Sequence, residues 1–396
     1  MINIPLTIGI EEEYQIIDPE TRELTSYVQE FMNSGRVVLG DQLKQEFMQS
    51  QIEVGSQICR NIDEARQEIK RLRRIVFDVA QEHNRVIAAA GTHPFSRWQD
   101  QRFSEGQRYD DLQSTMQDAA RRLLIFGMHV HIGFGKDKVA LETTIDILNQ
   151  IRYFLPHILA LSTSSPFWHG RDTGMKSYRS LVFENLPRTG IPPVFGSFND
   201  YDRYVDMMAT VGALGPAGSG KPTGFTGSKD PTKIWWDARP HPNLGTLEIR
   251  VSDICTTIDE TICIAAFVQS LVAKLIKLRN SNQSWRIYPN YYIEENKWRA
   301  VRYGIDGQLI DFGISEEVPM RFLARELVEI VDDVLDELGT RNDVEYIYQI
   351  IENGTSADRQ IATYRRAINQ GAEPREALFA VVDQLVSETK KGWAEE

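Results

Sequence analysis

Three consecutive glutamates interrupt an apolar, β-branched segment close to the start of the chain, TIGIEEEYQII at residues 7–17. Because successive side chains of a strand point to opposite faces, Glu11 and Glu13 share one face and Glu12 lies on the other. Two carboxylates that face an interior repel each other unless a cation lies between them. The pair therefore predicts a metal site, and a solvated edge strand is the alternative.

Three further segments divide in the same way into an apolar and a polar face. GMHVHIGF places His129 and His131 on one face with two glycines, and QSQIEVGSQ places Glu53 opposite its apolar residues. TLEIRVSD aligns Glu248 with Arg250. Four such strands predict a sheet with an acidic face that carries scattered histidine and arginine, which is a poor core but suits hard cations and phosphates.

The sequence leaves open which metal ion would bind at such a face. The HVH spacing, with imidazole and carboxylate ligands, suits zinc, and one hypothesis is a zinc amidohydrolase that uses His129 and His131. The surplus of glutamates over histidines favours magnesium, which takes oxygen ligands and bridges to nucleotide phosphates. A third hypothesis is a nucleotide-binding protein without catalytic activity.

Composition limits the partners and the compartment. The 396 residues include 44 basic and 56 acidic ones, a net charge of -12 that disfavours a nucleic-acid or anionic-membrane surface. Three cysteines without metal-site spacing predict a reducing, cytoplasmic compartment. The first residues lack a signal-peptide pattern, and the apolar run at 262–268 is shorter than the ~20 residues that span a bilayer. We expect small-molecule substrates, and a homo-oligomer is compatible with the same data.

The pattern of helices and strands predicts an α+β fold, because strands and helices do not alternate strictly. We expect a helix after a cap at Asn61 or Asp63, a helix over 140–161 bent at Pro156, and a buried helix over 261–278. We expect a strand over 122–135 and a loop-rich stretch over 162–224. One catalytic domain would span 1–396, with a core at 7–312 and a mostly helical end at 313–396.

A glycine-rich segment, GPAGSGKP at 215–222, nearly matches the phosphate-binding loop pattern. Pro222 replaces the hydroxyl residue of that pattern, and the following TGFTGSKDP cannot form the helix that the pattern needs. We interpret the segment as an excursion that either closes over the site with Lys221 or is an inert insertion.

Seven motifs together resemble one known family over about residues 7–311. They are GIEEEYQI, QIEVGSQICRNI, GTHPFSRW, GMHVHIGF, LSTSSPFWHGRDTGMKSYRS, WWDARPHPNLGTLEIRVSD and WRAVRYGIDG. In this order they resemble the glutamate-cysteine ligase type 2 family of carboxylate-amine ligases. The resemblance implies a glutamine-synthetase-like fold, an antiparallel sheet that forms a funnel with helices outside. It also implies that ATP phosphorylates the γ-carboxylate of glutamate and that an amine such as cysteine attacks the acyl phosphate.

The resemblance and the strand faces together assign roles to individual residues. The predicted ligands of Mg²⁺, or of Mn²⁺, are Glu11, Glu13, Glu53, Glu248 and His131. Arg179 and Arg250 are the predicted catalytic groups, since a guanidinium fork holds a carboxylate or a γ-phosphate. The predicted substrate or nucleotide contacts are His129, Arg239, Arg302 and Lys221, with a structural ion pair as the alternative for the two arginines.

Several other residues receive weaker assignments. Glu46 is a weaker metal candidate, because strand parity puts it opposite Glu53 unless the strand is bulged. His93 and His169 lie in predicted loops, where we expect hydrogen bonds that stabilise turns. The three cysteines are expected to pack in the core.

Overall fold

A seven-stranded antiparallel sheet forms the centre of the molecule. The structure is a computed structural model and describes residues 4–214 and 230–393. The strand order is β10-β11-β5-β1-β3-β2, and β4 pairs with the end of β1 on the edge opposite β3, beyond the residues that pair with β5. The strands of this sheet are β1 (Ile8–Ile17), β2 (Leu43–Gln45), β3 (Gln51–Gly55), β4 (Val86–Ala88), β5 (Met128–Gly133), β10 (Ala238–His241) and β11 (Thr246–Ile249).

Six short strands form three two-stranded sheets beside it. They are β6 (Phe167–Trp168) with β7 (Arg171–Asp172), β8 (Thr189–Gly190) with β9 (Trp235–Trp236), and β12 (Gln308–Asp311) with β13 (Glu316–Pro319).

Helices surround the central sheet, which agrees with the predicted α+β class. In chain order they are α1 (Val28–Leu39), α2 (Ile62–Glu82), α3 (Gln107–Met116), α4 (Asp118–Arg121), α5 (Lys138–Ile151), α6 (Leu155–Leu161), α7 (Tyr178–Phe183), α8 (Phe198–Thr210), α9 (Ile258–Asn280), α10 (Asn290–Tyr303), α11 (Met320–Leu338), α12 (Arg341–Glu345), α13 (Ile347–Asn353), α14 (Ser356–Asn369) and α15 (Pro374–Thr389).

The helix boundaries follow local chemistry. The Asn61 side chain accepts a hydrogen bond from the backbone N–H of Glu64 and caps α2, so the cap is Asn61 and not Asp63. The helix predicted over 140–161 is interrupted at Arg152–Phe154 and resumes as α6 with Pro156 in its first turn. Proline is tolerated there because the first turn needs no N–H donor.

The apolar face of the sheet packs on α9, the predicted buried helix. This helix is long and apolar enough to cross a membrane, but 78% of its apolar window is buried inside the fold. A helix in the core of a globular protein can have the same length and composition. The packing of α9 on β1, β5, α2 and α11 accounts for its apolar residues.

Two predictions about the middle of the chain were correct only in part. The stretch expected to be loop-rich contains α7 and the thirteen-residue α8. In α8 the buried residues Tyr201, Val205 and Ala209 form a stripe only one residue wide, which is a weak helical signal among many polar residues. The strand expected over 122–135 is shorter and runs from Met128 to Gly133, with one further bridge between Gly127 and Asp253. The division into core and C-terminal segment stays a prediction.

Candidate active site

The polar face of the sheet opens into a cavity of about 720 Å³. This volume is in the range that accommodates small organic ligands. Carboxylates, imidazoles and guanidinium groups that lie far apart in the chain meet here. The predicted site residues in its lining are Glu11, Glu13, Glu53, Glu248, His129, His131, Arg179, Arg239 and Arg250.

Strand register places these groups side by side. Glu13 lies across from Glu53 in the β1–β3 pair, and Glu11 lies across from His129 in the β1–β5 pair. On the next strand, Glu248 lies across from His131. The antiparallel pairing therefore converts the period-two pattern of single strands into one continuous polar surface.

Glu12 faces the other way, as its strand parity predicts, and forms a fully buried ion pair with Arg73 of α2. The Arg73 Nε lies 3.1 Å from Glu12 Oε2, and the Thr261 hydroxyl donates to Glu12 Oε1 at 2.7 Å. Arg73 also donates to the carbonyl oxygens of Cys255 and Thr256. This network fixes the middle of β1 from the apolar side of the sheet.

Three glutamates form an acidic cluster at one end of the cavity. Burial and the charge of Glu53 raise the pKa of Glu13 to about 7, and burial with the charge of Glu13 raises the pKa of Glu46 to about 7. Burial and the charges of Glu11 and Glu46 raise the pKa of Glu53 to about 8. Crowded, desolvated carboxylates of this kind are stabilised by a divalent cation, and oxygen donors suit magnesium.

Glu46 joins this cluster, although strand parity places it on the opposite side from Glu53. The strand ends before it, because β2 stops at Gln45 and β3 begins at Gln51. Glu46 therefore lies in the connection between two antiparallel strands, where the alternation of strand faces does not apply.

Lys44 bridges the acidic cluster and β1. Its Nζ lies 2.8 Å from Glu11 Oε1 and 2.7 Å from Glu53 Oε1. Although burial opposes it, the charges of Glu53 and Glu11 raise the pKa of Lys44. The ammonium group thus occupies a position where a metal cation would meet the same two carboxylates.

A second group of possible ligands lies on the other side of Glu11. Single ligand atoms of Glu11, His131 and Glu248 lie within 4.8 Å of one another. The His131 Nδ1 contacts the Thr246 hydroxyl at 3.1 Å, whereas its buried Nε2 has no hydrogen-bond partner within residues 4–214 and 230–393. An unsatisfied imidazole nitrogen between two carboxylates fits a metal ligand.

Two arginines engage Glu248. Arg239 Nη2 lies 2.6 Å from Glu248 Oε2, and Arg250 Nη1 donates to Glu248 Oε1. Although burial opposes it, these two guanidinium groups and His131 hold the pKa of Glu248 well below its usual range. Arg250 Nη1 also lies 3.5 Å from His129 Nδ1, and burial together with this arginine lowers the pKa of His129 to about 4.

Arg179 enters the cavity from α7, and no carboxylate of the described residues lies within ion-pair distance of it. Its two Nη atoms donate to the carbonyl oxygens of Arg250 and Val251 at 3.3 and 3.4 Å. The Nε atoms of Arg179 and Arg250 are buried, and neither has a hydrogen-bond partner in the described part of the chain. Both guanidinium groups thus keep donor capacity for an anionic ligand.

Two predicted residues are not part of this arrangement. Arg302 of α10 does not line the cavity and donates to the carbonyl of Gly174 on the surface. The structural ion pair given as the alternative for Arg302 is not found among the described residues either, since its contact is a hydrogen bond to a carbonyl oxygen. Lys221 and the glycine-rich segment at 215–222 lie outside the described residues.

The sequence analysis missed Lys44 and the cavity residues Arg108 and Tyr109. Lys44 lies across from Glu53 in the β2–β3 pair, and this placement depends on a strand boundary that the sequence pattern did not reveal. Arg108 and Tyr109 lie at the start of α3, a polar helix with no fully buried residue, and no sequence pattern indicated them.

The loop histidines and the cysteines have different outcomes. His93 accepts hydrogen bonds from the N–H groups of Phe95 and Ser96, as expected for a turn-stabilising role. The three cysteines are buried, also as expected. His169 instead stacks on Trp168 and its Nε2 has no partner.

Comparison with known proteins agrees with this geometry. The profile of glutamate-cysteine ligase family 2 (GCS2) matches residues 7–383. The chain is 51% identical over 98% of its length, and 94% of the other, to a Herpetosiphon aurantiacus protein named "Putative glutamate--cysteine ligase 2". It is 50% identical, over 98% of this chain and 92% of the other, to a protein of the same name from Chloroflexus aurantiacus.

The fold is also found in solved structures. The Francisella tularensis glutamate–cysteine ligase in complex with AMP matches with a TM-score of 0.66 and 14% identity, over 98% of this chain and 90% of that one. A bifunctional glutathione synthetase from Pasteurella multocida matches with a TM-score of 0.60 and 13% identity, over 98% and 53%.

The family match and the fold define an enzyme of the carboxylate-amine ligase class. Within that class, the chain belongs to glutamate-cysteine ligase family 2.

Proposed function

We propose that this protein is an ATP-dependent ligase that joins the γ-carboxylate of glutamate to an amine such as cysteine through an acyl phosphate. Mg²⁺ or Mn²⁺ would be the metal, and both substrates would be small molecules of the cytoplasm. The observation that carries the proposal is one cavity that combines six glutamates with two guanidinium groups whose Nε donors have no partner among the described residues. The family match and the AMP complex of the Francisella tularensis protein support nucleotide use.

The donor set fits a divalent cation in two adjacent places. Glu13, Glu46 and Glu53 provide oxygen donors at one end, and Glu11, His131 and Glu248 provide a mixed set at the other. A bound magnesium ion would neutralise phosphate charge and align the phosphoryl donor with its acceptor. Lys44 would have to release Glu11 and Glu53 when the cation arrives, since it contacts both.

The arginines provide the contacts to anionic substrates. Arg250 has a fixed orientation because Glu248 holds one of its Nη atoms, and its unpaired Nε can donate to a phosphate or carboxylate oxygen. Among the described residues, the Arg179 guanidinium donates to carbonyl oxygens alone, so its positive charge is available to an anion. Both groups stabilise negative charge that develops on a transferring phosphoryl group.

The zinc amidohydrolase hypothesis fits this geometry less well. It requires both histidines of the HVH motif on one cation. His131 is part of the possible ligand group, but His129 contacts Glu11 at 3.1 Å and has the Arg250 guanidinium at 3.5 Å. A positive group so close to the imidazole disfavours a cation at that nitrogen.

The test compares metals and substrates in one assay. The protein is stripped of metal with a chelator, and Mg²⁺, Mn²⁺ or Zn²⁺ is added back with ATP, glutamate and a panel of amines. We expect equimolar phosphate and γ-glutamyl amide with Mg²⁺ or Mn²⁺ only. Amide hydrolysis restored by Zn²⁺ without nucleotide would overturn the ligase proposal. Nucleotide binding with no phosphate release for any amine would show a catalytically silent protein.

A further inference from the structure

A second cleft, of about 480 Å³, lies on the other side of α7 from the catalytic cavity. The helix contributes Arg179 and Phe183 to the catalytic cavity, whereas Tyr178, Leu181 and Val182 line the second cleft. Among the described residues, the two linings share no member. The second cleft is therefore a separate space, and the proposed ligase reaction does not use it.

One wall of this cleft is the β6–β7 hairpin, in which Trp168 pairs with Arg171. The two-residue turn between them has positive φ at both positions, 50° at His169 and 81° at Gly170, as a type I′ turn requires. The Gly170 N–H donates to the carbonyl of Pro94 at 3.0 Å, which ties the turn to a neighbouring loop. The wall is thus held in place without a ligand.

Aromatic rings form the inner surface of the cleft. The rings of Trp168 and His169 stack with centroids 4.7 Å apart and an interplanar angle of 13°. The Tyr178 ring lies 5.3 Å from that of Trp168, and Trp98 contributes a further indole to the lining. Such a surface favours a planar ring, which can stack against or pack at the edge of these side chains.

The rim of the cleft is basic, in a chain with a net charge of -12. Arg122 and Arg171 line it, and no aspartate or glutamate does so within the described part of the chain. Arg122 is exposed and pairs with Asp118 at 2.7 Å, whereas no described carboxylate pairs with Arg171. The pKa of His169 is lowered, first by burial and then by the charges of Arg97 and Arg171, with Asp100 acting in the opposite direction. The local potential is therefore positive.

We propose that this cleft is a second ligand site, which binds a small aromatic anion. The planar ring would pack against Trp168, Tyr178 and Trp98, and its carboxylate or phosphate would pair with Arg171 at the rim. The combination of ring stacking and a guanidinium partner is selective, because neither a free anion nor a neutral ring satisfies both contacts.

The test uses tryptophan as the reporter. The protein is labelled with 5-fluorotryptophan, its ¹⁹F signals are assigned with Trp98→Phe, Trp168→Phe and Trp235→Phe variants, and phenyl phosphate is titrated in. We expect the signals of Trp98 and Trp168 to shift, while that of Trp235, which lines the catalytic cavity, stays in place. Inorganic phosphate and phenol, added separately, should each bind at least about tenfold more weakly.

Two arginine variants complete the experiment. Arg171→Gln should raise the dissociation constant about tenfold, because it removes the unpaired guanidinium. Arg74→Gln, at an exposed position of α2 outside the cleft, should leave the constant unchanged. The proposal is overturned if Trp98 and Trp168 do not shift, if only Trp235 shifts, or if the two variants bind equally well. None of these readouts needs ligase activity, so they are independent of the proposed function.

Discussion

The two faces of β1 carry the same residue type in opposite electrostatic situations. On the apolar side, Glu12 is fully buried, and Arg73, Tyr14 and Thr261 all donate to its carboxylate. On the cavity side, burial and the charge of Glu53 raise the pKa of Glu13 to about 7. Glu11 contacts Lys44 and His129, two side chains that a bound metal ion could replace as its partners. Adjacent glutamates in one strand therefore have different surroundings, an ion pair in the core on one face and a ligand cavity on the other.

The difference between the two faces separates a charge with a structural role from charges that can bind ligands. A buried ion pair with complete hydrogen bonding fixes a strand in one position. Carboxylates and guanidinium groups without sufficient partners are unfavourable in the free protein and become favourable when a cation or anion binds. We infer that the Glu12–Arg73 pair holds β1 in place while Glu11 and Glu13 remain available to ligands.

The largest expected effect is a loss of stability when Glu12, on the apolar side of β1, is replaced. Glu12→Gln leaves the Arg73 charge buried without a counter-charge, and the free energy of unfolding should fall by about 3–5 kcal/mol. Urea denaturation measures it, with the exposed Glu20→Gln as a control. The double variant Glu12→Gln, Arg73→Met should regain part of the loss. A stability equal to that of the unmodified protein would show that Glu12 does not anchor β1.

The second prediction concerns the cavity side of the same strand. Glu13→Gln keeps the side-chain volume and relieves repulsion with Glu53, so the free energy of unfolding should change by less than about 1 kcal/mol. Turnover should fall by about 10²-fold or more, because a carboxylate that balances the metal charge is lost. Steady-state phosphate release measures this. If Glu13→Gln lost stability as Glu12→Gln does, the two faces would not differ in the way described.

The third prediction concerns His93, a buried loop histidine that, like Glu12, does not line the cavity. Burial lowers its pKa from 6.5 to about 3, so the folded protein binds fewer protons there than the unfolded chain does. Its contribution to stability is present above pH 6.5 and is lost as the pH falls. Between pH 7.5 and 5.5 this amounts to about 1 kcal/mol. His93→Asn should remove that part of the pH dependence of urea denaturation, and an unchanged pH dependence would contradict the assignment.

The smallest expected effect concerns Lys44, which contacts Glu11 and Glu53 where a cation would bind. Lys44→Met should tighten magnesium binding about threefold, because the competing ammonium group is gone. The lysine is half exposed, so the electrostatic gain is small. Calorimetric titration with Mg²⁺ measures the affinity, and Lys138→Met, at an exposed site, is the control. Weaker binding in Lys44→Met would mean that the lysine supports the site instead of competing for it.

The sequence predicted the division of faces because it depends only on the period of a strand. Glu12 could be separated from Glu11 and Glu13 without knowing any partner. The identity of the Glu12 partner could not be predicted, since Arg73 lies 61 residues further along the chain on a helix. Its contact follows from the packing of α2 on β1, which is a property of the whole fold.

Two site residues, Glu46 and Arg302, were misplaced for the same reason, because their positions depend on the whole fold. Glu46 was placed by parity, but parity ends where the strand ends, and the boundary between β2 and β3 was not visible. Arg302 was grouped with the other motif arginines because spacing does not reveal which side of α10 a residue occupies after packing. Family membership was recognisable because seven ordered motifs depend on sequence alone.

Gly127 lies between Glu13 and Arg179 in the candidate active-site cavity, and its lack of a side chain leaves room for the arginine. Its N–H donates to Glu13 Oε2 at 2.5 Å, and a Cβ atom at this position would overlap the Arg179 guanidinium group at Nη2. At Gly55, by contrast, a Cβ atom would lie 3.9 Å from Glu11 Cγ, which is an ordinary contact. In a saturation library selected for ligase activity, position 127 should therefore accept glycine alone, while position 55 should also accept alanine.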